Sequence, residues 1–270
     1  MTNYSSPVDT RWRDPRTASV TIPRAAELPV LELDQDHLAQ RKIVGFHSRD
    51  IRSRAFNLFR SQIAKRVAQR GVKILGVTSA APSAGKSFIS TNLAAALSRM
   101  PDREIYLFDF DLRRGSLARE LGLQGDRGLG LFLEGKVTNL REVGYRVGEE
   151  GFAFFPCFAS MNRSAELFAG DHFKALVAAM RALPDNAIVL CDLPPAFAND
   201  DTAVICEHID AYLMVVEQGV TTKKQIVGTR EMLQPTPCLG SVLNRYDGGW
   251  SDPYGYGYGD KYAKYYDQAG

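Results

Sequence analysis

Between an apolar run and a helical segment lie eight residues, Ala80-Ala81-Pro82-Ser83-Ala84-Gly85-Lys86-Ser87. A turn in that place wraps backbone N–H groups round phosphate oxygens, and the helix N-terminus behind it adds a favourable dipole. Lys86 is the residue to neutralise β- and γ-phosphate charge, and Ser87 is the hydroxyl to ligate Mg2+. Ser83, Ala84, Gly85 and Phe88 complete the candidate nucleotide contacts of this stretch. The GxxxxGKS/T pattern begins here on Ala80 instead of Gly, so an ordinary strand–helix turn competes as an explanation of the motif taken alone.

Two further stretches weigh against that explanation. IYLFDFDLR places Asp109 and Asp111 at the end of an apolar run with Arg113 just beyond, and AIVLCDLPP ends another run on Asp192. One carboxylate at a strand end is often only a cap or turn residue. Three of them in a chain with a Gly-Lys-Ser turn imply a shared cation, because clustered negative charge is otherwise costly. A nucleoside triphosphate with Mg2+ is the ligand that satisfies both halves of the pattern, with Ser87, Asp109 and Asp192 as the metal candidates.

Such residues need a scaffold that brings them to one edge. KILGVTS (73–79), REIYLFDFD (103–111), GFAFFP (151–156), NAIVLCD (186–192), AYLMVVE (211–217) and GSVLN (240–244) read as buried strands, since they lack polar alternation. SFISTNLAAALSRM, SAELFAGDHFKALVAAMRAL and TTKKQIVGTREML between them read as helices. The alternation predicts an α/β fold, a doubly wound and mostly parallel sheet with helices on both faces, whose ligands bind beyond the carboxyl ends of the strands.

The flanks differ in character. Residues 1–49 contain Pro7, Pro15, Pro23 and Pro29 and no apolar period, which predicts a flexible arm. A basic amphipathic helix follows, with Ile51, Ala55, Phe59, Ile63 and Val67 every four residues, Phe56 beside them and Asp50 as its cap. Residues 51–73 hold seven basic side chains and no acidic one, so the near balance of 33 Lys+Arg against 31 Asp+Glu hides a charged helix. It reads first as packing one face on the chain's own core with Arg and Lys solvated, and otherwise as docking on a neighbouring subunit or a membrane surface. The helical domain and sheet are expected to span 50–247, followed by a disordered Tyr/Gly-rich tail at 248–270. Six of the 11 tyrosines lie there: Tyr254, Tyr256, Tyr258, Tyr262, Tyr265 and Tyr266. Tyr106, inside a strand, reads as core.

Composition bounds the rest. At 270 residues, 45% hydrophobic and 24% charged, the chain is that of a globular protein, not of collagen, a coiled coil or a wholly disordered segment. It has no apolar run of about 18–20 residues and no secretory h-region, so the cytoplasm is the expected compartment. Cys157, Cys191, Cys206 and Cys238 lack metal-ligand spacing and read as reduced, mostly buried thiols.

On these residues the sequence resembles the bacterial tyrosine kinases of capsule and exopolysaccharide assembly, within the P-loop ATPases related to cell-division positioning and plasmid-partition proteins. The resemblance covers roughly residues 50–270. TSAAPSAGKS is similar to the family's Walker A, FDFDLRRGSL to its Walker A′ and VLCDLPP to its Walker B. Weaker likenesses are GLGLFLEG (128–135), Ala165-Glu166-Leu167, Asp201, Gly219-Val220-Thr221-Thr222 and Val242-Leu243-Asn244; DPYGYGYGDKYAKYYDQAG resembles the family's tyrosine cluster.

The resemblance implies ATP and Mg2+ as cofactors and transfer of the γ-phosphoryl group to tail tyrosines of a neighbouring subunit. It assigns Lys86, Asp109, Asp111 and Arg113 to catalysis, adds Asn244 to the nucleotide contacts and makes the six tail tyrosines phosphoacceptors, without deciding which Asp is the base. It also implies a homo-oligomer and a separate membrane-embedded chain-length or activator protein, through which a stand-alone cytoplasmic chain would associate with the membrane; nucleic acid is not an expected partner. One departure stands out. The family's E-x-x-R-x-x-R subunit contact falls on Arg54, Asn57 and Arg60, so only the last Arg is kept. Two alternatives remain: a regulatory subunit of polysaccharide export with little kinase activity, and a partition-type ATPase, whose signature Lys would stand at Ala81.

Overall fold

The six apolar runs all form strands; five are covered on both faces, whereas the last, Cys238–Asn244 at the sheet edge, leaves Ser241 and Leu243 exposed and is not the buried strand its run suggests. In the computed structural model, which describes residues 20–48, 50–148, 151–158 and 163–246, the six are β2 (Ile74–Ser79), β3 (Glu104–Asp109), β5 (Phe152–Phe155), β6 (Ala187–Asp192), β7 (Ala211–Glu217) and β8 (Cys238–Asn244). These six lie parallel. Two short strands, β1 (Val30–Leu31) and β4 (Tyr145–Val147), extend one edge, β4 running antiparallel to β5, and the sheet order is β1-β4-β5-β3-β6-β2-β7-β8.

Alternate residues of each central strand feed two cores. On one face α2 (Arg54–Arg70), α3 (Lys86–Ser98) and α4 (Ser116–Glu120) pack over Leu75, Val77, Leu107 and Leu190. On the other, α5 (Leu129–Leu133), α6 (Ser164–Ala169), α7 (Asp171–Arg181) and α8 (Asp201–Cys206) cover Ile74, Tyr106, Phe108 and Val189, and α9 (Lys223–Met232) flanks them through half-buried Ile226. Aromatic contacts knit that second face: Phe108 stacks on Phe155 at 4.4 Å, and Phe110, Phe168 and Phe173 meet edge to face. Tyr106 is core as expected, its hydroxyl donating to Glu104 at 2.9 Å. Three cysteines are buried and Cys238 is half-buried, all as free thiols. No helix among the described residues is long and apolar enough to cross a membrane.

Two further expectations need correction. The arm is not loose from residue 20 onward. A helix at Gln35–Gln40 (α1), capped by Asp34, lies within it, and Ile22, Leu28, Leu38, Ile43 and Val44 are buried. Its clasp is Asn92 on α3, whose Oδ1 accepts from Val44 N at 2.8 Å and Gly45 N at 2.9 Å. Scattered apolar residues, the Asn92 amide and the pairing of β1 with β4 hold the strap, which no periodic pattern would reveal.

The second correction concerns α2. Its buried face is Phe56, Ile63, Ala64 and Val67, whereas Ala55 is exposed, because a 3.6-residue turn rotates away from a strict four-residue ridge. Asp50 accepts from Arg52 N at 2.8 Å and so closes the 3-10 turn Ile51–Ser53 ahead of the helix, while the N-cap of α2 itself is Ser53, without a side-chain cap bond.

Candidate active site

β2 runs into the Gly-Lys-Ser loop and α3 leaves it. Ser83 and Gly85 turn the backbone through the left-handed region, with φ of 66° and 93°. Gly85 is required twice over: a Cβ there would be strained, and it would collide with the side-chain amide of Asn244. That amide donates to Ala84 O at 2.8 Å, so the end of β8 fastens the loop from the far end of the chain. Phe88 turns the other way, its half-buried ring packing edge-on against Phe56 of α2 at 5.7 Å; only its backbone adjoins the loop.

Lys86 and Ser87 open α3. Lys86 is only 7% exposed, and its charge pulls on both Asp111 and Asp192. Ser87 Oγ donates to Asp192 Oδ2 at 2.6 Å, and Ser90, one turn further, donates to Oδ1 at 2.8 Å. A third hydroxyl, that of Ser116 on α4, lies 2.5 Å from Ser87 Oγ.

Asp109 and Asp192 are register partners at the ends of β3 and β6. Burial pushes Asp192 up to about 6, against the opposing pull of Lys86, Ser87 and Ser90. Burial likewise lifts Asp109 well above the usual carboxylate range, with the charges of Asp192 and Asp111 adding to it. Asp111 is also raised by burial, against Lys86 and Arg114. Asp109 spends its oxygens on its own loop: Oδ1 accepts from Asp111 N and Oδ2 from Leu117 N, both at 3.2 Å.

Arg113 points elsewhere. Its Nε donates to Ser164 Oγ at 3.0 Å and to Asp201 Oδ2 at 3.3 Å, and Ser164 donates to the same oxygen at 2.7 Å. Asp201 is wholly buried, so the loop after β3 is tied to the starts of α6 and α8. Ser90, Ser116 and Ser164 escaped sequence reasoning. Ser90 follows Ser87 by three residues on one helix face, a spacing that could have exposed it, but nothing local marks the other two. The six tail tyrosines lie outside the described residues. In α2, Arg60 donates to Ala96 O of α3 at 3.0 Å, and Asn57 accepts from Arg99, so both positions serve contacts within the chain.

The donor set fits a shared cation, not a closed cage. Among the described residues no three His, Cys, Asp or Glu group to hold a metal alone. Mg2+ asks less, taking one or two protein oxygens and completing its octahedron with phosphate and water. Ser87 beside Asp192, with buried carboxylates that burial holds toward their protonated forms, is a partial set of that kind.

No protein-family model matches the chain. EpsB of Ralstonia nicotianae is 32% identical over 197 residues, 72% of this chain and 25% of that protein. The tyrosine-protein kinase etk of Escherichia coli K12 is 30% identical over 173 residues, 63% of this chain and 23% of that protein. The chain thus spans about a quarter of the length of these relatives. Among solved structures, the kinase domain of Escherichia coli ETK superposes with a TM-score of 0.67 at 24% identity, covering 86% of this chain and 94% of that domain. Cobyrinic acid a,c-diamide synthase of Mycobacterium smegmatis, with bound ADP and magnesium, shares the fold at a TM-score of 0.52 and 20% identity, over 65% of this chain and 76% of that one.

Proposed function

The chain is a homologue of the bacterial tyrosine-protein kinases, built on a P-loop ATPase fold, and we propose that its site moves the γ-phosphoryl group of ATP to tyrosines in the tail of a second copy of the chain. The observation that carries this reading is the Ser87–Asp192 hydrogen bond with Asp109 in register beside it. It joins the loop hydroxyl, the carboxylate behind it and a second carboxylate strand on one sheet edge.

Phosphoryl transfer asks a protein mainly for position and charge neutralisation. The loop backbone from Ser83 to Ser87 holds the β- and γ-phosphates, with Asn244 keeping the loop in shape. Lys86 neutralises charge on the transferring group. Ser87, with Asp192 behind it, would hold Mg2+, which would supply positive charge against the developing phosphate charge. Asp111 takes the proton: the tyrosine oxygen bonds to the γ-phosphorus, the bond to the β–γ bridging oxygen breaks, and the phenolic proton passes to the carboxylate. A raised pKa makes Asp111 a stronger base than an ordinary carboxylate, while Asp109 is occupied by its loop. Arg113, held by Asp201, keeps that loop in place.

The six tail tyrosines are the acceptors in this reading, and their phosphates would repel one another and loosen an assembly. In the wider setting of this proposal the chain acts in exopolysaccharide export at the inner face of a membrane, with a membrane-embedded protein as its activator. The test is incubation with γ-labelled ATP and Mg2+ of the wild type, Lys86→Met and a chain ending at Asp252. Label on tyrosine in the first and neither variant is the expected result; ATP turnover without labelled protein would leave a nucleotide-dependent regulator instead.

A further inference from the structure

Ser116 opens α4 in the loop that follows Asp109 and Asp111, and its hydroxyl reaches across to the Gly-Lys-Ser loop. A hydroxyl has one proton and two lone pairs. Ser87 spends its proton on Asp192 Oδ2, so across the 2.5 Å contact with Ser116 it must accept. Ser90 holds the other oxygen of Asp192 and keeps that carboxylate from turning. Ser87 therefore keeps one lone pair, and its direction is set by two neighbours instead of by free rotation.

The backbone is shaped to deliver Ser116 there. Gly115 takes a φ of 54°, and a Cβ on it would collide with the Cys157 carbonyl oxygen. Asp111 O accepts from Arg114 N and Gly115 N at 3.0 and 2.8 Å, and Asp109 Oδ2 accepts from Leu117 N. Asp109 thus organises the turn on whose far side Ser116 sits.

We infer that Ser116 is a positioning residue for the divalent cation: through its hydrogen bond it fixes the orientation of the Ser87 hydroxyl, and so sets how tightly the nucleotide-loaded site takes Mg2+. This rests on the phosphate-site reading above, and it assigns Ser116 no contact with nucleotide or acceptor.

The test is a binding measurement on the full chain with a fluorescent ADP analogue, first in EDTA and then titrated with Mg2+, for wild type, Ser116→Ala and Ser116→Thr. The metal-free affinity for the analogue should be equal in all three. Ser116→Ala should need about three- to tenfold more Mg2+ to reach half of the metal-dependent change, the effect of losing one hydrogen bond, and Ser116→Thr, which keeps the hydroxyl, should return toward the wild-type midpoint. An unchanged midpoint in Ser116→Ala with intact analogue binding overturns the inference alone. A loss of metal-free binding in Ser116→Ala also overturns it, because Ser116 would then touch the nucleotide site directly. Failure of the wild type to bind the analogue overturns the phosphate-site reading and this inference together.

Discussion

Asp109 and Asp192 stand opposite each other in register at the carboxyl ends of β3 and β6, both fully buried and both held above the ordinary carboxylate range. The fold therefore keeps protons at this edge that an unfolded chain would release.

That relationship sets a pH dependence. Asp192 titrates at about 6 in the fold, against an ordinary value of 3.8, so between those values the folded chain binds more protons than the unfolded one. Stability contributed by its protonated form is full below about pH 4 and is lost as pH rises through about 6. Urea midpoints followed from pH 4 to pH 7 should fall for the wild type relative to Asp192→Asn. A constant gap between the two curves would mean that burial does not raise Asp192.

The Arg113–Asp201 pair makes a second prediction. Asp201 is wholly buried while the Arg113 side chain is 41% exposed, so solvent screens the pair in part. Arg113→Ala should cost about 1–2 kcal/mol, below the loss for a fully buried pair, because the carboxylate is left with Ser164 alone. Adding Asp201→Asn should recover most of that loss, which urea denaturation of the two single variants and the double variant would measure.

The strap makes a third. Asn92→Ala leaves the buried N–H groups of Val44 and Gly45 without their acceptor, and about 2–3 kcal/mol of stability should go with it. Protease cleavage within residues 20–48 should accelerate in the same variant, and an unchanged cleavage rate would show that the apolar contacts and the β1–β4 pairing hold the strap without Asn92.

A fourth lies in the loop. Gly85→Ala faces both a positive φ and a collision with Asn244, so affinity for ADP should fall about tenfold or more. Adding Asn244→Ala removes the collision but not the backbone strain, so calorimetry should find only a partial return.

What the sequence made legible was whatever repeats or sits beside a repeat. The central strands end within a residue or two of their apolar runs, because a strand covered on both faces has no polar residue to interrupt it. The loop residues, Asp109, Asp111 and Asp192 were legible for the same reason: each closes such a run. β1 and β4, two and three residues long, were missed at the sheet edge, where hardly any side chain is needed to hold them. The strap was misread because its five buried apolar residues have no common spacing. SAELFAGDHFKALVAAMRAL, a single helical pattern on paper, breaks at Gly170 into α6 and α7. Ser116 and Ser164 were beyond reach, since a serine's worth depends on what the fold places opposite it.

The most direct measurement mixes two variants: Lys86→Met with its tail intact, and a chain ending at Asp252 with its site intact. With γ-labelled ATP and Mg2+, neither should be labelled alone, and in the mixture phosphotyrosine should be found by peptide mass spectrometry between Tyr254 and Tyr266 of the Lys86→Met chain. ATP consumption in the mixture with no phosphate on any of those tyrosines would contradict the account.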